Sequence, residues 1–382
     1  MSSERINVLI VDDSGIMRRI LMTALSKHAD IHVIGHAENG QVAVDKVRAS
    51  PPDIITLDVE MPVMDGITAL KEIRKFNTKI PIVMFSAFTQ RGAKATMDAL
   101  TNGASDYVGK PSNIQNPEEA FKFLDEHLIP KIRSLCARSR NGSVAPSLRD
   151  RGNERRESQS VSNPVTGLVK SNFVVQKSSI SPVTRDVNRP LLPIDGIVIG
   201  VSTGGPAALM RVFELWKTPL KVPIFIVQHM PPVFTQLLAN RLTEIGVIPV
   251  MEPYDGQEAQ AGKAYIAPGG WHMYLKRQGT KVFIGLNDDP PENSCRPAVD
   301  VLFRSAALVY KRSLLGVVLT GMGQDGLLGA QDILRENGSV IVQDQETSVI
   351  WGMPGVIAKA DLADKVLPLD EIPNEILYRT QI

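Results

Sequence analysis

The chain has 382 residues, of which 43% are hydrophobic and 22% are charged, and its formal net charge is +1. This length favours two domains, because single hydrophobic cores rarely grow so large. The near-neutral charge provides no overall field for nucleic acid or a membrane, and no apolar run is long enough to span a bilayer. With no signal-peptide pattern and only two cysteines, Cys136 and Cys295, we expect a cytoplasmic protein with free structural thiols.

Residues 1–138 alternate between short apolar runs and amphipathic helical patterns. The predicted strands cover residues 6–11, 31–36, 53–57, 80–85 and 105–108. The predicted helices cover a segment up to 27, then about 39–49, 65–75, 89–102 and 117–135. This alternation predicts an α/β fold with a doubly wound parallel sheet and right-handed crossovers.

Polar residues follow the predicted strands of this first domain: Asp12, Asp13, Asp58, Ser86 and Lys110. In a flavodoxin-like strand order, 2-1-3-4-5, the first and third strands are neighbours, so the three carboxylates meet in one crevice. Such a cluster favours Mg²⁺, and a carboxylate beside Mg²⁺ can accept a phosphoryl group. Each residue has a plain alternative, such as a helix cap for Asp13, but all five at strand ends favour a site.

These motifs resemble response-regulator receiver domains. The matching segments are Val-Asp-Asp-Ser at 11–14, Asp-Val-Glu-Met-Pro at 58–62, Met-Asp-Gly at 64–66, Ser86 and Lys-Pro at 110–111. The resemblance implies that a histidine kinase phosphorylates Asp58. It also implies that Mg²⁺ is bound by Asp12, Asp13, Asp58 and the Val59 carbonyl, that Ser86 and Tyr107 are the switch pair beside Lys110, and that the Lys110–Pro111 bond is cis.

Residues 139–190 lose all periodicity and are rich in Ser, Arg, Asn and Pro. Such a composition buries too little apolar surface to order the chain, so we predict a disordered basic linker. Without interleaved aromatic residues it does not indicate nucleic-acid binding.

Residues 191–382 predict a second, mostly parallel, doubly wound α/β domain. The predicted strands cover 196–201, 223–228, 314–320 and 339–343, and the helices about 206–217, 233–244, 298–311 and 326–337. An antiparallel hairpin is predicted over about 270–276 and 281–286.

Three residues of this second domain each follow a different predicted strand: Ser202, His229 and Asp325. Ser202 lies in Gly-Val-Ser-Thr-Gly (200–204), which matches a nucleophile elbow. A serine hydroxyl needs a base such as imidazole, and a carboxylate fixes the tautomer of that imidazole. Because the chain order differs from that of α/β-hydrolases, we predict a serine hydrolase of another type.

The segment Gly-Met-Gly-Gln-Asp-Gly (321–326) is also a literal G-x-G-x-x-G, with Asp344 ending the next predicted strand. This is the fingerprint of a dinucleotide-binding domain. The motif comes late in its domain and leaves Ser202 and His229 without a role, but the pattern alone leaves this alternative open. A catalytically inactive interaction domain is a second alternative.

Longer motifs resemble the CheB chemotaxis methylesterase family. They are the segments 200–206, 228–231, 267–270, 296–300, 319–326, 343–344 and 352–354. The sequence departs from the family at Val201, where alanine is usual, at Ala298, where serine is usual, and in its long linker.

The resemblance implies a phosphorylation-activated enzyme that hydrolyses glutamate γ-methyl esters on chemoreceptor helices and deamidates receptor glutamines. Ser202, His229 and Asp325 would form the triad, with the backbone N–H groups of Thr203 and Met322 as candidates for the oxyanion hole. We expect no cofactor for the esterase, no bound nucleic acid, no direct membrane insertion, and a monomer.

Overall fold

The structure is a computed structural model that describes residues 5–87, 89–111, 116–141 and 193–381. The predicted linker therefore lies outside the described residues from position 142 onward. Among the described helices, none combines the length and hydrophobicity that a bilayer span requires.

The N-terminal half is built on one five-stranded sheet. Its strands β1 to β5 are Ile6–Val11, Ile31–Ala37, Ile54–Asp58, Ile82–Ser86 and Asp106–Gly109. Its helices α1 to α6 are Gly15–Ser26, Gly40–Ala49, Gly66–Phe76, Gln90–Thr101, Pro117–His127 and Ile129–Asn141. All neighbouring strands are parallel, in the order β2-β1-β3-β4-β5, which confirms the predicted flavodoxin-like topology.

Side-chain caps begin the helices that follow the strands. Ser14 accepts a hydrogen bond from the Met17 N–H at the start of α1, and Asp65 accepts one from the Thr68 N–H at the start of α3. Such caps satisfy backbone donors that the helix itself leaves unpaired. Because Ser14 fills the cap of α1, Asp13 is not a helix cap.

Two local predictions were wrong. The helix predicted over about 117–135 is divided at Leu128 into α5 and α6, because Pro130 has no N–H to continue the hydrogen-bond ladder. Within the described residues, the one cis peptide bond joins Arg296 to Pro297. The Lys110–Pro111 bond, which lies in the described range, is therefore trans.

The C-terminal half contains a seven-stranded parallel sheet in the order β15-β14-β13-β6-β7-β10-β8, and a three-stranded antiparallel sheet in the order β11-β12-β9. The strands β6 to β15 are Gly196–Val201, Ile224–Gln228, Val250–Met251, Gln257–Glu258, Ala264–Ile266, His272–Gln278, Lys281–Asn287, Leu314–Val318, Ser339–Gln343 and Lys365–Leu367. The helices α7 to α12 are Gly205–Leu215, Phe234–Ile245, Val299–Tyr310, Leu327–Arg335, Met353–Lys359 and Ile372–Gln381. The mostly parallel fold with an antiparallel hairpin is confirmed. Four strands that were not predicted, β8, β9, β10 and β15, have only two or three residues, which is too few for a hydrophobic pattern to show in the sequence.

Adjacent parallel strands position the site. β6 lies between β7 and β13, with Val201 opposite Gln228 and Gly200 opposite Val318. The carboxyl ends of these three strands therefore open at one edge of the sheet, where sites form in parallel α/β folds.

The two halves share one continuous hydrophobic core across α4, α7 and α8. Within this core the rings of Tyr107 and Phe234 stack, with centroids 4.8 Å apart and planes 13° apart. Nearby, the Thr101 hydroxyl lies 3.4 Å from Met210 Sδ.

Candidate functional site

The turn after β6 holds Ser202 in a fixed conformation. Its N–H donates to the Thr320 carbonyl at 3.0 Å, and its own carbonyl accepts the Gly205 N–H at 2.7 Å. Gly204 has φ +77°, and a Cβ there would lie 2.5 Å from Val349 Cβ, so the turn requires glycine. The Ser202 hydroxyl consequently stands beside the start of α7.

His229 follows β7 and joins the other two predicted residues. Its Nδ1 lies 3.1 Å from Ser202 Oγ, and its Nε2 lies 2.7 Å from Asp325 Oδ2. A flipped ring would present carbon atoms to both partners, so the assignment of the nitrogens follows from the hydrogen bonds. Nε2 then carries the hydrogen that Asp325 accepts, and the lone pair of Nδ1 faces the hydroxyl. This is the reverse of the common arrangement, in which Nε2 faces the serine.

Asp325 is buried and accepts four hydrogen bonds. Besides His229, Oδ2 accepts the Val299 N–H at 2.7 Å, while Oδ1 accepts the Asp300 N–H at 3.0 Å and the Asn293 side-chain amide at 2.9 Å. Burial alone would raise the pKa of Asp325, but His229 and the backbone donors outweigh it and lower that pKa. The carboxylate is therefore ionised at neutral pH.

The histidine has a further neighbour that the sequence did not reveal. Cys295, predicted to be a plain structural thiol, lies beside the His229 imidazole. Burial disfavours the imidazolium, but the hydrogen bond to Asp325 and the nearby Cys295 outweigh burial and raise the pKa of His229. His272, the other histidine of the C-terminal half, is buried, and its Nδ1 accepts the Ala298 N–H at 3.2 Å.

The candidate oxyanion donors lie on two loops at this edge. A Cβ on Gly321 would lie 2.9 Å from Ser202 Cβ and 2.4 Å from Met353 Sδ, so glycine lets the segment before Met322 approach the hydroxyl closely. No described residue accepts a hydrogen bond from the N–H of Thr203 or Met322. Both N–H groups are therefore unpaired within the described residues.

The glycine motif at 321–326 forms hydrogen bonds within the protein. Asp300 Oδ1 accepts the Gly326 N–H at 3.0 Å and the Gly329 N–H at 2.7 Å. A carboxylate therefore occupies the start of α10, where a dinucleotide would need to place its pyrophosphate. Asp344 Oδ1 accepts the Thr347 N–H at 2.9 Å. These contacts argue against the dinucleotide-binding alternative.

The first sheet brings its predicted polar residues together as well. One oxygen each from Asp12, Asp13 and Asp58 lies within 4.8 Å of the others. Lys110 Nζ lies 2.8 Å from Asp12 Oδ2 and 2.7 Å from Asp58 Oδ2. Burial raises the pKa of Asp58 to about 6 against the opposing effect of Lys110. The buried carboxylates thus carry more negative charge than Lys110 compensates.

This cluster fits a hard divalent cation. Asp12 Oδ2 is buried and has no hydrogen-bond donor with good geometry in the described part of the chain, although Lys110 is near. The Val59 carbonyl accepts the Gly66 N–H at 3.0 Å and keeps a second lone pair. Oxygen ligands of this kind suit Mg²⁺.

The predicted switch residues lie on neighbouring strands. Ser86, at the end of β4, is buried and its hydroxyl is 3.3 Å from the Ala87 carbonyl. Tyr107, on β5, points into the contact with Phe234 rather than into solvent. The aromatic residue therefore lies between the two halves of the chain.

Two family models match the chain. Residues 197–376 match the CheB methylesterase model, and residues 8–122 match the response regulator receiver domain model.

Relatives match the chain over nearly its whole length. A Trichodesmium erythraeum protein named protein-glutamate methylesterase/protein-glutamine glutaminase is 47% identical over 98% of this chain and 99% of its own. A protein of the same name from a Nocardioides species is 44% identical over 98% of this chain and 95% of its own. The crystal structure of the Thermotoga maritima CheB methylesterase catalytic domain is 42% identical, covers 49% of this chain and 99% of that one, and has a TM-score of 0.48. By its match to the two family models and to these two near-full-length relatives, the chain belongs to the CheB methylesterase family, in the form that also carries a response-regulator receiver domain.

Proposed function

We propose that this protein is a phosphorylation-activated methylesterase of the chemotaxis system. Its substrates are glutamate γ-methyl esters on the cytoplasmic helices of chemoreceptors, and it also deamidates particular receptor glutamines. The hydrogen-bonded chain from Ser202 through His229 to Asp325 carries the proposal, because it supplies a nucleophile, a base and an orienting carboxylate.

Acylation begins when His229 Nδ1 takes the proton of the Ser202 hydroxyl. Oγ attacks the γ-carbonyl carbon of the ester, and the carbonyl oxygen becomes an oxyanion that the N–H groups of Thr203 and Met322 stabilise. Losing one such donor typically costs about 10²–10³ in rate. The C–O bond to the methoxy group then breaks, and the imidazolium returns its proton to give methanol and a glutamyl ester on Ser202.

Deacylation repeats the same proton transfers with water. His229 takes a proton from water, the resulting hydroxide attacks the glutamyl ester, and Ser202 leaves with the proton from Nδ1. Glutamate and the free serine result. In deamidation the leaving group of the first step is ammonia instead of methanol. Asp325 stays ionised throughout and stabilises the imidazolium.

The receiver half supplies the regulation. We propose that Asp58 accepts a phosphoryl group from a histidine kinase. Mg²⁺ held by Asp12, Asp13, Asp58 and the Val59 carbonyl would neutralise charge at this site when bound. Lys110, already within ion-pair distance of two of the carboxylates, would bind the phosphoryl oxygens.

Contacts between the halves support control of the esterase by the receiver. The Ser134 hydroxyl on α6 lies 3.3 Å from the side-chain sulfur of Met322, next to the nucleophile. Tyr107 stacks on Phe234 at the start of α8. In our proposal the unphosphorylated receiver covers the cleft, and phosphorylation shifts the population towards an open arrangement.

Release of methanol from methylated receptor tests the catalytic proposal. Ser202→Ala should lose several powers of ten in turnover, whereas Ser26→Ala, at an exposed serine of α1, should match the wild type. Full activity of Ser202→Ala would overturn the proposal. A wild type that binds receptor but releases no methanol would favour the inactive interaction domain, and binding of a nicotinamide dinucleotide would revive the other alternative.

Two changes test the regulation. Removing residues 1–190 should raise basal turnover, and an unchanged or lower rate would contradict occlusion. Asp58→Asn should abolish stimulation by a phospho-donor while the basal rate is retained.

A further inference from the structure

The helices α9 and α10 lie behind the triad. Backbone N–H groups at the start of each helix donate to a carboxylate at the start of the other. Asp325, just before α10, accepts the N–H groups of Val299 and Asp300 at the start of α9. Asp300, in the first turn of α9, accepts the N–H groups of Gly326 and Gly329 at the start of α10. The two carboxylates are 3% and 1% exposed, so this exchange brings two negative charges together in the interior.

The side chain of Asn293 joins these carboxylates. Its Nδ2 donates to Asp300 Oδ2 at 2.9 Å and to Asp325 Oδ1 at 2.9 Å. The opposite orientation of the amide would place its oxygen against two carboxylate oxygens, so the donor must face them. Both N–H bonds of the amide are used, one on each carboxylate.

The loop that carries Asn293 forms a hydrogen-bonded turn. Asn293 and Ser294 have φ +53° and +62°, and Glu292 and Cys295 exchange backbone hydrogen bonds of 3.1 and 2.9 Å across the turn. The Glu292 carboxylate in turn lies 2.5 Å from Arg304 on α9. The turn is thereby attached to the same helix that Asp325 caps.

We propose that Asn293 is a positioning residue of the triad, whose amide holds Asp325 Oδ1 so that Oδ2 stays directed at His229 Nε2. Asn293 donates to neither Ser202 nor His229 among the described hydrogen bonds, so it acts through Asp325. This inference rests on the proposed function, because it concerns the same esterase reaction.

The electrostatics explain why the amide matters. Burial, and then the charge of Asp325, raises the pKa of Asp300 to about 6. Without the amide the two carboxylates would repel each other directly, and rotation of Asp325 or a shared proton would relieve that repulsion. Either change would weaken the acceptor that keeps the hydrogen of His229 on Nε2.

Asn293→Gly is the sharpest variant, because glycine accepts φ +53° and only the amide is lost. Hydrogen bonds to charged groups are worth about 10- to 100-fold in an equilibrium, so we expect kcat for methanol release to fall by about that factor with KM unchanged. Ser294→Gly, at the neighbouring position with positive φ, is the matched control and should match the wild type.

A double-mutant cycle separates positioning from general damage to the fold. In the Asp325→Asn background, where the charged acceptor is replaced by a neutral amide, Asn293→Gly should change kcat by less than about twofold. The same loss in both backgrounds, a rise in KM at constant kcat, or a single variant as active as the wild type would overturn the inference.

A second variant keeps the test decisive if glycine unfolds the loop. Asn293→Asp is nearly isosteric but places a third carboxylate where a donor is needed, so kcat should fall further than in Asn293→Gly. Full activity of the aspartate variant would also overturn the inference. The wild type, assayed in parallel, separates the failure of this inference from the failure of the proposed function. If the wild type and the variants are all active, only the positioning role of Asn293 is contradicted. If the wild type is inactive, the proposed function is contradicted.

Discussion

The stack between Tyr107 and Phe234 allows a quantitative test of control by the receiver. Tyr107→Leu removes one ring of the pair but keeps an apolar side chain in the shared core. Both residues are buried, at 7% and 2% exposure, so the substitution removes an interior contact and leaves the surface of the protein unchanged. If the receiver holds the cleft closed, this change should raise basal esterase activity without a phospho-donor.

The size of the effect follows from the ring geometry. Rings 4.8 Å apart and 13° from parallel form a stacked pair, which typically contributes about 0.5–1.5 kcal/mol beyond burial. A loss of about 1 kcal/mol multiplies the ratio of open to closed molecules by about 5, given that RT is about 0.6 kcal/mol. Basal methanol release should therefore rise about fivefold, as long as the closed form predominates.

The assay is initial-rate methanol release from methylated receptor, with and without a phospho-donor. Phe76→Leu, at a half-exposed aromatic residue that ends α3, is the control and should leave the basal rate unchanged. In the double variant with Phe234→Leu, the second change should add little, because the stack is already gone. An unchanged or lower basal rate in Tyr107→Leu, with stimulated activity intact, would refute this coupling.

Three further predictions concern the two sites. Asp325→Asn should lower kcat by about 10⁴, the loss expected when the wrong imidazole tautomer is favoured, and steady-state kinetics would measure it. The acidic limb of the pH profile of kcat/KM should lie above the ordinary histidine value of about 6.5, because the raised pKa of His229 keeps the imidazole protonated to higher pH. In Asp325→Asn the charge that opposes burial most strongly is lost, so the limb should move down. Burial raises the pKa of Asp58 from 3.8 to about 6, so the free energy of unfolding falls as the pH rises from about 3.8 to about 6 and stays lower above that range. Asp58→Asn should therefore raise the melting temperature of the metal-free protein at pH 7, and Mg²⁺ should raise that of the wild type but not of the variant, as calorimetry would detect.

Local patterns in the sequence predicted much of the architecture. Apolar runs alternating with helical periodicity led to two parallel α/β sheets, and the polar residues at the strand ends pointed to Asp58 in one and Ser202 in the other. These predictions succeed because hydrophobic periodicity reports which face of an element is buried, and parallel strands all end at the same edge. The break at Leu128 does not show in the sequence pattern, because the amphipathic periodicity continues past Pro130.

The residues around the triad could not be predicted in this way. Asn293 and Cys295 lie in a loop without periodicity, and nothing in the sequence connects that loop to Asp325 or His229. Their contacts arise because α9 and α10 begin side by side and exchange the carboxylates that cap them. The stack of Tyr107 on Phe234 depends in the same way on how two separate sheets pack.

The sequence by itself thus determined the class of fold, the order of the elements and the residue types that end each strand, because these depend on burial and on hydrogen bonds between near neighbours. Only the tertiary structure decided which nitrogen of His229 faces Ser202, which side chain bridges the buried carboxylates, and which surface of the receiver meets the C-terminal half. Those features depend on distances between atoms far apart along the chain, and such distances are set by the packing of whole elements against one another.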